Sequence, residues 1–325
     1  MKIARYHAAG SPEVIQIEEA AEPEPQANQV VVRIEANALN PIDRYLRAGL
    51  RPVNLPAVPH FDYSGSIVKT GSDVQKWQIG DRVWGTRTRS GLHAGAAAEF
   101  IAEDEDLLFP IPAAMGSAAA ASLAMVSFTA HIALFSRAQV QPGERILIYG
   151  GSGGVGRTAI QLARRHGLGI ISTASTALKA EIALQSGADE VIDLKTQNVV
   201  ERVMDWSKGQ GVDVILEMSA SETIADDLQI VRNRGRIVAI GSPVNYQPTL
   251  PWLMLNRKNA TVHGILVFTA TQDELQKAGK EISQCMATGD LNAHIGARLP
   301  FSAIVQAHHL LDAGKTIGRI VLEMR

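Results

Sequence analysis

Up to about Asp106 the apolar residues come in short runs of Val and Ile broken by Gly and Pro, as in Val30-Val31-Val32-Arg33-Ile34 and Gly65-Ser66-Ile67-Val68. That pattern predicts strands in a compact β-rich unit. Between Met115 and Leu134 the chain turns to Ala, Leu and Met, with Ala118 to Ala121 in a row, which favours helix and predicts a helical passage into a second domain. From Glu144 the pattern alternates. Apolar runs at 146–149, 170–174, 190–193, 212–218, 235–240 and 261–267 are expected as strands, and stretches at 155–166 and 176–185 as helices, with further helical intervals before the runs at 212 and 235. Strands separated by helices call for an α/β fold with a doubly wound parallel sheet. From about Ala270 the tail reads as an amphipathic helix, a turn, a second helix at 304–313 and a closing strand at 318–323. The acidic run Glu103-Asp104-Glu105-Asp106 is expected as a solvated turn.

Bulk properties narrow the class. A chain of 325 residues exceeds the size at which one core stops growing, so about two domains are expected. Apolar residues are 46%, charged residues 20% and the formal net charge −2, and with no stripe of Lys and Arg neither a nucleic acid nor a membrane surface is indicated as a partner. The single cysteine, Cys285, excludes an intramolecular disulfide and a cysteine cluster for zinc, and is expected as an inert buried thiol. No apolar run follows Met1 to Tyr6, and no uncharged stretch reads as long enough to span a bilayer. A cytoplasmic location is expected.

The chemistry begins at Gly151-Ser152-Gly153-Gly154-Val155-Gly156, a G-x-G-x-x-G sequence between the run at 146–149 and the helix at 155–166. In that setting the chain must turn sharply, approach a pyrophosphate and pack a helix on a sheet, so side chains at Gly151, Gly153 or Gly156 would obstruct, and the helix start offers its N–H groups to an anion. The next strand ends in Ser172-Thr173-Ala174-Ser175-Thr176, where an NAD site would carry an acidic residue for the ribose 2′-hydroxyl. Without that acid, and with Ser175 and Lys179 close by, NADPH is the expected cofactor. Lys179 either meets the 2′-phosphate or is a solvated surface lysine.

At this point the residues resemble the medium-chain dehydrogenase/reductase superfamily, and within it the zinc-free quinone oxidoreductase branch that includes zeta-crystallin. The resemblance runs through Asn40-Pro41-Ile42-Asp43-Arg44-Tyr45, Pro59-His60-Phe61-Asp62-Tyr63-Ser64-Gly65, Gly80-Asp81-Arg82-Val83, Thr129-Ala130, the glycine loop, Ser186-Gly187-Ala188-Asp189, Gly211-Val212-Asp213 and Gly318-Arg319-Ile320-Val321-Leu322. It implies a Rossmann domain at 123–266, inserted into a β-rich GroES-like catalytic domain made of 1–122 and 267–325. Alcohol dehydrogenases of this superfamily hold zinc through two cysteines and a histidine. Asn40, Phe61 and Met125 stand at those positions here, and an amide, a phenyl and a thioether are not zinc ligands, so no metal is expected. His60, one residue off the ligand position, is expected as a polar surface or cleft residue.

By the same resemblance, Asn40 and Tyr45 line the substrate cleft and donate toward the substrate oxygen. The alternative is loop structure, with Asn40 capping a turn ahead of Pro41. Asp43 is expected to organise this loop through Arg44 or Arg47 and not to act as an acid. Thr129, Val267 and Phe268 are implied beside the nicotinamide, and Gly241 and Ser242 lie at the carboxyl end of a sheet strand, where open α/β folds place ligands. His308 and His309 point different ways on a helix and suggest no metal pair. Hydride transfer without zinc suits substrates that delocalise the arriving charge, which points to an NADPH-dependent quinone reductase. An enone or alkenal reductase and a non-catalytic NADPH-binding protein remain as alternatives. The apolar terminal strand at 261–267 is expected to pair with its copy in a homodimer.

Overall fold

The structure is a computed structural model describing residues 1–241 and 247–324. The chain forms two units, Met1–Met125 with Thr271–Arg325, and Val126–Ala270. The first stretch carries β1 (Lys2–Tyr6), β2 (Ile15–Glu19), β3 (Gln29–Ala38), α1 (Pro41–Arg47), β4 (Asp62–Thr70), β5 (Arg82–Thr86), β6 (Phe100–Asp104), β7 (Phe109–Pro110) and α2 (Ser117–His131). Then follow β8 (Arg145–Ile148), α3 (Gly154–Arg165), β9 (Gly169–Ala174), α4 (Ala177–Gln185), β10 (Glu190–Asp193), α5 (Val199–Trp206) and β11 (Val212–Glu217). The second unit continues with α6 (Ala220–Ile230), β12 (Val231–Ala239), α7 (Trp252–Lys258) and β13 (Thr261–Gly264). The tail holds α8 (Gln272–Thr288), β14 (Ile295–Pro300), α9 (Ile304–Ala313) and β15 (Arg319–Glu323).

The first unit is built on β3, which pairs antiparallel with β4, β6 and β15. Its alternating Val30, Val32 and Ile34 enter a core with Tyr63, Ile67 and Val83, as period-two patterning requires of a sheet buried on one face. Because Val321 on β15 sits opposite Ala38 on β3, the end of the chain is a ladder strand in the domain formed by its beginning. Helix α8 is fixed to the same unit by Trp84 Nε1, which donates to Ser283 Oγ at 3.0 Å. Phe109 lies so close to Gly279 that a β-carbon there would fall 2.1 Å from the ring, so this mid-helix glycine is a packing requirement.

The second unit holds a six-stranded parallel sheet ordered β10-β9-β8-β11-β12-β13. Strand β11 is buried along its whole length, as expected of a parallel strand covered on both faces. From β8 the chain winds outward through β9 and β10, then returns to the other side of β8 with β11. The strand order therefore reverses between β8 and β11, and the crevice at their carboxyl ends is the ligand position of such sheets.

Several expectations need correction. The segment expected as a strand to Val267 stops at Gly264, and Val267 opens a 3-10 turn, Val267–Thr269. The turn expected between the last two helices contains β14, which pairs parallel with β15. Helix α7 begins after Pro251 in a stretch for which no element was expected, and residues read as loop after Asn40 form α1. The acidic run is not a mere solvated turn, since Glu103 is buried on β6 with Arg87 3.9 Å away, and Glu105 accepts the N–H groups of Gln75 and Lys76. Helix α2 runs on as a π turn, and Ser117–Arg137 is long and apolar enough to cross a bilayer, contrary to the sequence reading. Its apolar window is 89% buried within the protein, which is also how the core helix of a globular domain looks.

Candidate functional site

In the second unit the glycine loop divides its work among its residues. Gly150 turns the chain at φ +64°, and the N–H groups of Gly150 and Gly151 donate to Thr173 Oγ1 and the Thr173 carbonyl at 3.0 and 3.3 Å, fastening the loop to β9. A β-carbon at Gly151 would lie 2.3 Å from Ser172 Oγ, and one at Gly156 would lie 2.3 Å from the Gly150 carbonyl oxygen. Those two are glycines because the protein itself packs there. At Gly153, exposed and N-capping α3, nothing comes nearer than 3.3 Å. Gly153 is exposed, and the N–H groups of Gly154, Val155 and Gly156 that begin the helix beside it suit a phosphate. Ser152 is buried within the loop.

Ser175 and Lys179 come together at the end of β9, with Lys179 Nζ donating to Ser175 Oγ at 3.2 Å. Thr176, the N-cap of α4, accepts the Lys179 N–H and so fixes the backbone that aims the lysine. Thr129 is buried on α2. Gly241 accepts the Ala220 N–H, and a β-carbon there would approach the Met218 carbonyl to 2.8 Å. Val267 is buried and Phe268 half-buried in their turn, and Ser242 lies outside the described residues.

In the first unit the central group is Asp62, fully buried at the start of β4. Its Oδ2 accepts Asn40 Nδ2 at 2.9 Å and an Arg319 guanidinium N–H at 2.8 Å, and its Oδ1 accepts the Met125 N–H at 2.9 Å. One carboxylate thus gathers two of the three positions where zinc-dependent relatives place ligands, and the third, Phe61, is its buried neighbour in sequence. Asn40 heads α1, ahead of Pro41, and its own N–H donates to Asp43 Oδ2 at 2.7 Å. Asp43 also accepts the His60 N–H at 3.0 Å. It therefore organises this segment through backbone N–H groups and not, as the sequence suggested, through Arg44 or Arg47. Both arginines pair with Asp312 on α9 instead. Tyr45 is half-exposed on α1, with the Arg51 guanidinium carbon 5.4 Å from its ring centre, within cation–π range.

His60 is a further correction, because it is fully buried and takes φ +65°. Its Nδ1 lies 2.8 Å from Asn37 Oδ1 and its Nε2 lies 3.1 Å from His308 Nε2. The amide oxygen can only accept, so His60 carries its proton on Nδ1 and accepts at Nε2 from His308. Burial lowers the His60 pKa to about 3 and holds that of His308 well below the ordinary value, so both rings are neutral. His309 instead is exposed and contacts Glu13. Burial also raises Asp43 to about 7 against its two N–H donors, and raises Asp62 against the opposing pull of Arg319. Among the described residues no group of three or more His, Cys, Asp or Glu is arranged to hold a metal.

Asp62, Arg319 and Arg51 were given no role by sequence reasoning. Asp62 and Arg319 both stood inside segments quoted for the resemblance, but nothing in spacing joins residues 257 apart.

Residues 26–113 match the family model described as the alcohol dehydrogenase GroES-like domain, and residues 154–284 the one described as zinc-binding dehydrogenase. The quinone oxidoreductase of Mus musculus is 33% identical over 331 residues, covering 99% of this chain and 97% of that one. Quinone oxidoreductase 1 of Escherichia coli strain K12 is 29% identical, covering 98% of each. Among solved structures, Escherichia coli quinone oxidoreductase complexed with NADPH superimposes with a TM-score of 0.88 at 28% identity over all of both chains. Quinone oxidoreductase from Pseudomonas syringae pv. Tomato DC3000 gives 0.89 at 29% identity, covering 99% of each.

Removing one partner of a buried ion pair strands the other charge, at a cost of about 3–5 kcal/mol. Arg319→Met is therefore expected to lower stability by about that amount in denaturant titration. Pairing it with Asp62→Asn recovers much of the loss, because no buried charge is then left over. A single-variant loss under about 1 kcal/mol would show that Asp62 does not depend on Arg319.

Proposed function

The chain belongs to the medium-chain dehydrogenase/reductase superfamily, in its quinone oxidoreductase branch, and from that premise we propose that it reduces quinones with NADPH and without zinc. The observation that carries this reading is the Asp62 centre. Where zinc-dependent relatives need thiolates and imidazole, this chain carries an amide, a phenyl and a thioether at the corresponding positions, and the oxygens of the neighbouring Asp62 carboxylate are already taken by the Asn40 amide, the Met125 backbone N–H and Arg319. That donor set does not fit zinc.

The bound cofactor supplies the hydride. Gly153 and the first N–H groups of α3 hold its pyrophosphate, and Ser175 with Lys179 takes the 2′-phosphate. Asp62 fixes the Asn40 amide by one N–H, and the second N–H of that group donates toward a substrate oxygen. Tyr45, with its hydroxyl on a half-exposed ring beside Arg51, is the second donor and supplies a proton. Thr129, Val267, Phe268, Gly241 and Ser242 belong to the nicotinamide side of this reading. A quinone or a conjugated enone spreads the arriving charge over its π-system, so two neutral donors suffice.

A second copy of the chain is the proposed occupant of the β13 edge, where Val262, Leu266, Trp252 and Leu253 are exposed. A monomer by light scattering at micromolar concentration would refute it.

Lys179→Ala is expected to weaken NADPH binding by about 1.5–3 kcal/mol, a charged contact to phosphate, while leaving NADH binding unchanged. Titration by cofactor fluorescence checks both. An equal effect on the two cofactors would remove Lys179 from the phosphate site.

NADPH oxidation measured against quinones, enones and aldehydes in strong chelator tests the reaction itself, with quinones expected to be fastest and chelator to have no effect. In that assay Asn40→Ala and Tyr45→Phe should each reduce quinone turnover by roughly fivefold to tenfold, about 1 kcal/mol, with NADPH affinity intact. Parent rates in both variants would make these side chains structural.

A further inference from the structure

Beneath the crevice of the second unit lies a chain of buried polar groups that takes no part in the reading above. Glu217, the last residue of β11, and Asp227, on α6, are both fully buried. Tyr149, the residue after β8, donates its hydroxyl to Asp227 Oδ1 at 2.9 Å. Glu217 accepts the Ser219 N–H on one oxygen and the Thr223 hydroxyl on the other, the latter at 2.6 Å. The two carboxyl groups are within hydrogen-bonding reach of each other, yet Asp227 Oδ2 has no donor to accept from. Neither group is in an ion pair among the described residues.

Two carboxylates cannot both stay charged when buried side by side without a cation. A proton on Asp227 Oδ2 removes the difficulty, because the orphaned oxygen becomes a donor to Glu217 and the pair carries one charge. We propose that Asp227 is a protonated acid that donates to Glu217, and that the chain Tyr149–Asp227–Glu217 is a positioning device joining the ends of β8 and β11 beneath the cofactor crevice. The geometry assigns what is held in place. Tyr149 leads directly into the glycine loop, and Glu217 clamps the turn through Ser219 that leads to Ala220, whose N–H is bonded to the Gly241 carbonyl. The strand ends on either side of the strand-order reversal are thereby linked through side chains as well as through the sheet.

The groups acting on Asp227 agree with this. Burial is the largest, followed by Glu217 from β11, with the hydroxyl of Tyr149 just beyond β8 opposing and Asp226 on the same helix adding to the rise, and together they carry Asp227 to about 9. The cations of the neighbouring helices are elsewhere. Arg202 on α5 pairs with Glu190, Lys258 on α7 donates to the carbonyls of Gln229 and Val231, and Arg257 is exposed.

The test compares the parent with Asp227→Asn, which mimics the neutral acid, and Asp227→Ala, which deletes it. The first arm needs no cofactor. In the unfolded chain Asp227 ionises near its ordinary value of about 4, whereas in the folded chain it keeps its proton up to about 9. The melting temperature of the parent relative to Asp227→Asn should therefore fall as pH rises across that window and level off above it. The second arm is NADPH affinity at pH 7.5. Asp227→Ala is expected to weaken it about fivefold, the worth of one lost hydrogen bond, and Asp227→Asn to restore it to within about twofold. A pH-independent stability difference overturns the shared proton, as does an Asp227→Asn protein that does not fold. An Asp227→Asn affinity as poor as that of Asp227→Ala, or an Asp227→Ala affinity equal to the parent's, overturns the positioning role. The inference rests on the cofactor reading in its second arm alone. A parent that binds no NADPH would sink that reading and the positioning role together, while the first arm still decides the proton.

Discussion

The first unit depends on one buried charge and its neutralisation. Asp62 has no access to water, and a carboxylate in that position is tolerable only when hydrogen-bonded and paired. The partners come from far apart in the sequence: Asn40 at the head of α1, the Met125 backbone on α2, and Arg319 at the start of β15. Satisfying that single group brings three segments to one place and joins the tail of the chain to its first half. The register of β15 on β3 points the same way, because Val321 meets Ala38 just before the chain turns into Asn40. Strand pairing and charge pairing agree on where the last strand belongs, and that agreement makes a discontinuous domain specific.

In the proposed cofactor site the second unit faces a different problem, which is to bring backbone close to an anion. Steric demands at Gly151 and Gly156 come from Ser172 and from the Gly150 carbonyl, both inside the protein. At Gly153 the nearest atom, the Gly150 carbonyl oxygen, is 3.3 Å from where a β-carbon would lie, a milder conflict than at the other two. Identical residues in one motif thus answer to different constraints. Substitutions at Gly151 or Gly156 act through folding and strain, whereas in the proposed cofactor site a side chain at Gly153 would also crowd the phosphate.

Much of this was legible in the sequence where the signal was periodic. The alternation of apolar runs and helical stretches from Glu144 onward located β8, α3, β9, α4 and β10, and the absence of an acid after β9 directed attention to Ser175 and Lys179, which lie in contact. Short elements were missed. Strand β14 alternates Ile295, Ala297 and Leu299 toward the core but is only six residues long, and α7 presents Trp252 and Leu253 to the outside, against the usual rule for a core-facing element. Burial of polar groups was the least legible. His60 looked like a surface or cleft residue because histidine usually is one, and nothing local announces that Asn37 and His308 will satisfy both of its ring nitrogens. The same holds for Asp43, whose arginine neighbours in sequence were the obvious partners but turn to Asp312 instead.

The electrostatics of the Asp62 centre bear on the substrates that the proposed reaction can accept. Arg319 balances Asp62, both histidines are neutral, and Asp43 sits near 7, so the centre carries between zero and one negative charge around neutrality. A zinc ion at such a place would offer a concentrated positive charge to a carbonyl oxygen. Here the substrate oxygen would meet only the amide of Asn40 and the hydroxyl of Tyr45, donors that contribute through direction and not through net charge. An isolated ketone or aldehyde localises the developing negative charge on a single oxygen and would gain too little from them. A quinone distributes it over two oxygens and a ring, and each donor then has a smaller share to stabilise. Raising the pH through 7 ionises Asp43 further and makes the surroundings more negative, which disfavours a developing anion. In the proposed reaction a preference for delocalising acceptors would thus follow from the charge balance of the centre as well as from the residues at the three zinc-ligand positions.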